Sequence, residues 1–415
     1  MQRRVVITGL GAVTPLGNTV AETWEAVCAG RSGIGPITKF DTSAFATKIA
    51  GEIKHFDPLI FVNRKELRRL DDFIVYALAA AEMAAADAAL VVGDKNAERL
   101  GVYIGSAIGG LATLEREKES LIRSGPGKVS PFVIPSVLAN LGAGHVSIRL
   151  GAKGPINCST TACASGTCAI GDAFRMIAWG YADAMIAGGV DAAVTPLSVA
   201  GFNAMRALST RNEQPEKASR PFDSRRDGFV IGEGCGLLVL EEMSVARQRG
   251  ARIYAEIIGY GLTSDAYHMV APPPSHEGAA RCMRLAIADA GIMPAEVDYI
   301  NAHGTATSLN DRYETEAIKA VFQEHSRKLA ISSTKSMLGH MLGAAGGIEA
   351  IMATKTICTG VIPPTINLDY PDPTCDLDYV PHQARKKEVQ VAMSNTFGFG
   401  GVNGVLIFRK YTGEQ

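Results

Sequence analysis

Three residues of this 415-residue chain sit where side-chain chemistry is expected. The segment Gly154-Pro-Ile-Asn-Cys-Ser-Thr-Thr-Ala-Cys163-Ala-Ser-Gly-Thr-Cys168 runs from a predicted strand through small residues into a predicted helix. Ile170, Ala173, Phe174 and Ile177 form that helix's apolar face, and Gly180 is its stop. Cys163 then stands at the turn before the helix, where free backbone N–H groups and the positive dipole end favour a thiolate. Its neighbours Ala162, Ala164 and Ser165 are small enough for a thioester to form on the sulfur. Cys158 and Cys168 read as small buried residues. Two histidines lie in loops of glycine and small hydroxyl residues: Asn301-Ala-His303-Gly-Thr-Ala-Thr-Ser-Leu-Asn-Asp311 and Ser332-Ser-Thr-Lys335-Ser-Met-Leu-Gly-His340. Backbone and ligand approach closely in such loops, so the three residues make up the parts of a cysteine–histidine constellation. Spacing alone leaves open whether they meet.

Elements able to position them follow an α/β pattern. Strand-like runs at Arg4 to Thr8, Gly101 to Ile104, Ala184 to Ile186 and Leu237 to Leu240 alternate with helical stretches, which predicts a layered fold. The longest helical signal covers about Glu66 to Leu90, where Leu70, Phe73, Ile74, Ala77, Leu78 and Ala81 recur on one face. A faint echo links Val5-Val6-Ile7-Thr8-Gly9 to Glu256-Ile257-Ile258-Gly259, and Ala184-Met185-Ile186-Ala187-Gly188 to Val391-Ala392-Met393-Ser394-Asn395. Two similar halves, residues 1–250 and 251–415, would explain it. Gly9-Leu-Gly11 lacks the third glycine of a dinucleotide fingerprint and is followed by Pro15, which argues against a nucleotide site.

Composition narrows the classes. Basic and acidic side chains number 41 and 42, so no global field draws the chain to nucleic acid or an anionic membrane. The apolar run at the N-terminus is broken within about ten residues, too short for a signal sequence or a membrane span, and the expected location is cytoplasmic. Eight cysteines without a CxxC pair disfavour a zinc site and a disulfide framework.

Several motifs then coincide: Thr161-Ala-Cys163-Ala-Ser-Gly, His303-Gly-Thr-Ala-Thr with Asp311 and Glu314, Lys335-Ser-Met-Leu-Gly-His340, and Asn395-Thr-Phe-Gly-Phe399-Gly-Gly. With Pro221-Phe-Asp-Ser-Arg-Arg-Asp-Gly-Phe-Val-Ile-Gly-Glu-Gly and Pro363-Pro-Thr-Ile-Asn-Leu, they resemble the β-ketoacyl-acyl-carrier-protein synthases, most closely synthase II, over essentially the whole chain. The resemblance implies the thiolase fold, two duplicated α/β halves in a five-layer αβαβα core, as a homodimer. It implies acyl transfer to Cys163, then decarboxylating condensation with a malonyl thioester on acyl carrier protein, giving a 3-oxoacyl product in fatty acid elongation. No cofactor is then required beyond the phosphopantetheine arm of the substrate. A polyketide or specialised-lipid ketosynthase of the same fold is the alternative within the family. A non-catalytic chain-length factor would typically lack the cysteine.

By the same resemblance, His303 and His340 stabilise the enolate, and the backbone N–H groups of Cys163 and Phe399 form the oxyanion hole. Lys335 is expected to be fixed by Glu314 and Asp311, and so to hold and tune His340. Thr305 and Thr307 would bond the pantetheine arm, Ile108 and Phe202 would bound the acyl pocket, and Phe399 would gate it. Asn301, Glu349, Ser394 and Asn395 match a structural sodium or potassium site. Lys65, Arg68 and Arg69, at i, i+3 and i+4 of the predicted long helix, would dock the acidic carrier protein together with Arg206 and Lys128. Three departures bear on substrate preference: Val270 for a usual threonine, Asp191 for a usual glutamate, and Ser308-Leu309 for a proline-containing stretch.

Overall fold

The computed structural model describes residues 3–413. Ten strands form one mixed sheet: β1 (Val5–Val13), β2 (Leu100–Gly105), β3 (Ile156–Asn157), β4 (Ala184–Asp191), β5 (Gly234–Glu242), β6 (Ala255–Ser264), β7 (Tyr299–Asn301), β8 (Ala330–Ser332), β9 (Val391–Gly398) and β10 (Val402–Lys410). Their spatial order is β8-β7-β9-β10-β6-β1-β5-β4-β2-β3. Adding five to each strand number of one half gives the other, and the parallel and antiparallel pairings repeat with it. The two echoing sequence pairs are β1 with β6 and β4 with β9.

Period-two alternation explains the layers. Met185 and Ala187 of β4, Leu238 and Leu240 of β5, and Leu406 and Phe408 of β10 point into a central core. There they meet two helices, α2 (Ser165–Ala178) and α5 (Ala345–Thr359). Ile186 of β4 and Val239 of β5 face outward to α1 (Asp72–Asp87), while Val405 and Ile407 of β10 face α3 (Glu277–Ala290), on which α4 (Ser308–Phe322) packs. The result is the thiolase-like αβαβα order. Gly9 and Gly11 lie within β1, where a Cβ would stand 2.2 Å from the Ala84 carbonyl oxygen and 1.9 Å from that of Ala80. They let α1 lie close on the strand, a packing role that removes the nucleotide reading.

The predicted Glu66–Leu90 helix is two helices. Asn63 and Glu66 form a capping box over a short helix, Arg64–Leu67. The Asp71 carboxylate then caps α1 by accepting from Phe73 N–H and also accepts from Thr113 N–H at 2.9 Å. That break removes the single helix face expected to carry Lys65, Arg68 and Arg69. Lys65 remains helical, Arg68 ends the turn, and Arg69 lies with its guanidinium 4.4 Å from the Phe132 ring centre. All three are exposed. Among the described residues no helix is long and apolar enough to cross a membrane, and all eight cysteines are free.

Candidate active site

The turn Ala162–Ala164 leads directly into α2, and Ala162 takes a left-handed φ of 50° to make it. Ser165 Oγ braces the turn, donating to the Ala162 carbonyl at 2.6 Å and accepting from Thr161 N–H at 2.9 Å. Cys163 is buried, 8% exposed. The end of β9 packs on this turn: a Cβ at Gly398 would sit 2.9 Å from the Thr161 carbonyl oxygen. Gly398 thus lets the next residue, Phe399, direct its backbone N–H toward the Cys163 sulfur, beside the N–H of Cys163 itself.

His303 follows β7, and His340 follows β8 after a short helix, Lys335–Leu338, that ends at Gly339 with φ 73°. The fold brings both to the thiol. His340 Nε2 lies 3.0 Å from Cys163 Sγ across a separation of 177 residues, and the two imidazole centres are 5.4 Å apart and nearly perpendicular. Phe229 stands edge-on to His340, and Phe397 edge-on to His303.

Electrostatics correct one expectation. Burial pushes the Cys163 thiol up to about 12, against the pull of the Lys335 charge and the Phe399 and Cys163 N–H groups. Burial therefore outweighs these donors and favours the protonated thiol. Burial and the Lys335 charge also hold His303 and His340 well below the ordinary histidine value, so both rings are neutral near pH 7.

Lys335 also departs from expectation. Its ammonium pairs with Glu349, both being buried, and not with Glu314 or Asp311. Glu314 instead accepts from the backbone N–H groups of His303 and Gly304, each at 2.8 Å, and so holds the histidine loop directly. Asp311 accepts from Phe222 N–H at 2.8 Å and faces Arg226 at 3.7 Å. Both carboxyls are raised by burial. Lys335 and Glu349 lie on the segments that flank His340, whereas Glu314 is turned to the backbone donors of His303 and Gly304.

A cavity of about 540 Å³ unites most of the remaining residues. Cys163, His303, His340, Thr305, Thr307, Ile108, Phe202, Phe399 and Arg206 all line it. The Thr305 and Thr307 hydroxyls are 2.9 Å apart, and the Phe202 and Phe399 ring centres 6.4 Å apart. Gly400 and Gly401 follow Phe399 at φ 82° and 74°, backbone that a side chain would strain. Val270 and the Ser308-Leu309 stretch, two of the three departures, line the same cavity. Arg226 was missed as a site residue. Nearly buried and paired with Asp372, it donates to the carbonyls of Thr307 and Ser308 and fixes the hydroxyl loop. The motif around Pro221 held that arginine, but nothing local distinguishes it from its neighbour Arg225. Lys65, Arg68, Arg69 and Lys128 are outside the cavity; Arg68 and Arg69 border a separate pocket of about 250 Å³.

Strand register sets Asn301 of β7 beside Ser394 of β9. Asn301 Oδ1, Ser394 Oγ and Asn395 Oδ1 are buried without a hydrogen-bond partner. Three such oxygens fit a small cation. Glu349, the fourth residue expected there, already neutralises Lys335.

Comparison with known proteins agrees with this arrangement. The family model for the N-terminal domain of β-ketoacyl synthases matches residues 2–246, and the model for their C-terminal domain matches residues 254–369. The chain is 54% identical over 410 residues to 3-oxoacyl-[acyl-carrier-protein] synthase 2 of Synechocystis sp., covering 99% of both chains. It is 53% identical over 409 residues to the protein of the same name from Coxiella burnetii, again covering 99% of both. Among solved structures, a ketosynthase bound to a hexaketide, in complex with its type II PKS acyl-carrier protein, is similar at TM-score 0.91 and 38% identity, covering 99% of this chain and 100% of that one. The ishigamide ketosynthase/chain length factor is similar at TM-score 0.92 and 38% identity with the same coverage. With both halves matched and a buried thiol set against two neutral imidazoles, the chain belongs to the β-ketoacyl synthase family.

Proposed function

We propose that this protein elongates fatty acyl chains by condensing malonyl-[acyl-carrier protein] with an acyl group held on Cys163, giving 3-oxoacyl-[acyl-carrier protein]. The observation that carries this reading is the buried Cys163–His340 contact at 3.0 Å with His303 alongside. In the first half-reaction Cys163 Sγ attacks the carbonyl carbon of the acyl thioester. The carbon–sulfur bond to pantetheine breaks, and that thiol leaves with the proton given up by Cys163. The N–H groups of Cys163 and Phe399 receive the tetrahedral oxyanion, one such donor contributing about 3 kcal/mol to the barrier reduction. In the second, the malonyl carbon–carbon bond breaks to release carbon dioxide. The electron pair becomes an enolate whose oxygen accepts N–H bonds from His303 and His340. Its carbon then attacks the thioester on Cys163, the carbon–sulfur bond breaks, and the sulfur leaves as thiolate, which takes one proton from solvent to regenerate the thiol. Neutral rings suit this role, since each keeps one N–H to donate.

Identity favours fatty acid elongation over a polyketide or specialised-lipid role: the 3-oxoacyl-[acyl-carrier-protein] synthases 2 match at 53–54%, the ketosynthase structures at 38%. The reading is tested by offering the protein acyl thioesters of acyl carrier protein and locating the acyl mass by digestion and mass spectrometry. It is expected on Cys163; transfer to another cysteine and never to Cys163 would overturn it.

Thr305 and Thr307 would bond the pantetheine arm, and Phe399, between glycines, would swing to admit the chain. Asn301, Ser394 and Asn395 would hold a monovalent cation, which would supply a fixed positive charge to their buried oxygens. The cytoplasm suits the eight free cysteines. A homodimer is supported by β3, an edge strand with Ile156 half exposed, and by exposed Ile134, Leu138 and Ile148. Acyl carrier protein would dock through exposed Lys65, Arg68, Arg69, Lys128 and Arg206, of which Arg206 borders the cavity. Reversing Arg68 and Arg206 to glutamate should raise KM for acyl-carrier thioesters about tenfold at low salt, with far less effect on a CoA thioester. Equal losses on both substrates would withdraw the docking assignment.

A further inference from the structure

Asp191, at the end of β4, is fully buried, and no described cation pairs with it. Its two oxygens accept four hydrogen bonds. Oδ1 takes the Ser106 hydroxyl at 2.8 Å and Ile108 N–H at 3.2 Å; Oδ2 takes Ala107 N–H at 3.0 Å and Gly343 N–H at 2.6 Å. Three of these donors belong to the segment that carries Ile108 into the cavity. The fourth belongs to the turn after His340, whose Leu342 lines the same cavity.

The duplicated fold explains why a carboxylate sits there. The turn Leu342–Ala344 leads into α5 as Ala162–Ala164 leads into α2, and Leu342 has φ 48° where Ala162 has 50°. Gly343 therefore occupies in the second half the place of Cys163 in the first. Likewise the end of β4 corresponds to the end of β9. Where β9 presents the Phe399 N–H to a reacting sulfur, β4 presents a carboxylate to a backbone N–H. The unreactive half-site has become a clamp.

We propose that Asp191 is a positioning residue for acyl-chain recognition, tying the Ile108 segment of the cavity to the turn beside His340 so that a long acyl chain meets an ordered pocket. This rests on the condensing activity argued above. All four donors point at the side chain, so an ionised carboxylate satisfies them, whereas an added proton or amide N–H must face a donor. Burial raises the Asp191 carboxyl to about 6. The titratable groups in its field are Cys158, Cys163 and Cys235, all raised by burial and protonated at that pH.

The test compares kcat/KM for tetradecanoyl and hexanoyl thioesters of acyl carrier protein. In Asp191→Asn the tetradecanoyl-to-hexanoyl ratio should fall at least about tenfold, since hydrogen bonds to a charged acceptor are the stronger class. Ser106→Ala, which removes one donor and leaves the carboxylate, should move it the same way by less. In the wild type the ratio should fall as pH drops through about 6 toward the Asp191→Asn value, and in that variant it should not vary over the same range. If Asp191→Asn does not fold, Ser106→Ala and the wild-type pH profile decide. Unaltered ratios with an acylated wild type would overturn the Asp191 role alone; a wild type that accepts neither thioester on Cys163 would overturn the condensing reading with it.

Discussion

Cys163→Ala should form no acyl-enzyme and lose condensation by at least about 10⁴-fold, the scale on which removal of a covalent nucleophile is felt. It should still decarboxylate malonyl-[acyl-carrier protein]. The two half-reactions use different groups: the sulfur is needed only to hold the acyl chain, while the imidazole N–H groups serve the enolate. His303 does not depend on the cysteine for its place, because Glu314 holds its backbone and Phe397 its ring. Carbon dioxide release from malonyl thioester, measured with no acyl donor present, checks the separation. Loss of both activities together would mean that the thiol is required for malonyl binding.

His303→Ala should show the converse. Decarboxylation should fall about 10²–10³-fold, as when one oxyanion donor is removed, while acylation of Cys163 falls much less. His340→Ala should slow both steps, because its Nε2 touches the sulfur and the thiol, held up at about 12, needs a nearby group to take its proton. The pH dependence has a definite sign. Both histidines are depressed well below 6.5, so they stay neutral as pH falls through that value, and the decarboxylation rate should not decline there. A rate that halves near pH 6.5 would show a ring exposed to water. Rapid-quench acylation and steady-state decarboxylation, measured on both variants, separate the roles; equal effects of both substitutions on both steps would reject the division.

What could be read along the chain was whatever local chemistry dictates. Short apolar runs marked β1, β2, β4 and β5, and in the strands themselves the period of two sets which side chains face the central helices. Small residues before a helical pattern marked the Cys163 turn, and glycine-punctuated loops marked His303 and His340. Even the duplication was visible in the β1–β6 and β4–β9 echoes. Contacts across hundreds of residues had no local signal. The 177-residue span between Cys163 and His340 closes only because both halves bring equivalent turns to one cavity. Lys335 pairs with Glu349 while Glu314 is turned to the backbone N–H groups of His303 and Gly304, a choice no spacing reveals. The long helix predicted from Glu66 breaks because the Asp71 carboxylate caps α1 and also accepts from Thr113, a partner 42 residues away. The state of the thiol was likewise a tertiary matter. A helix terminus favours thiolate, but enclosure by the surrounding layers costs the charge its water, and burial outweighs the Lys335 charge and the two backbone donors.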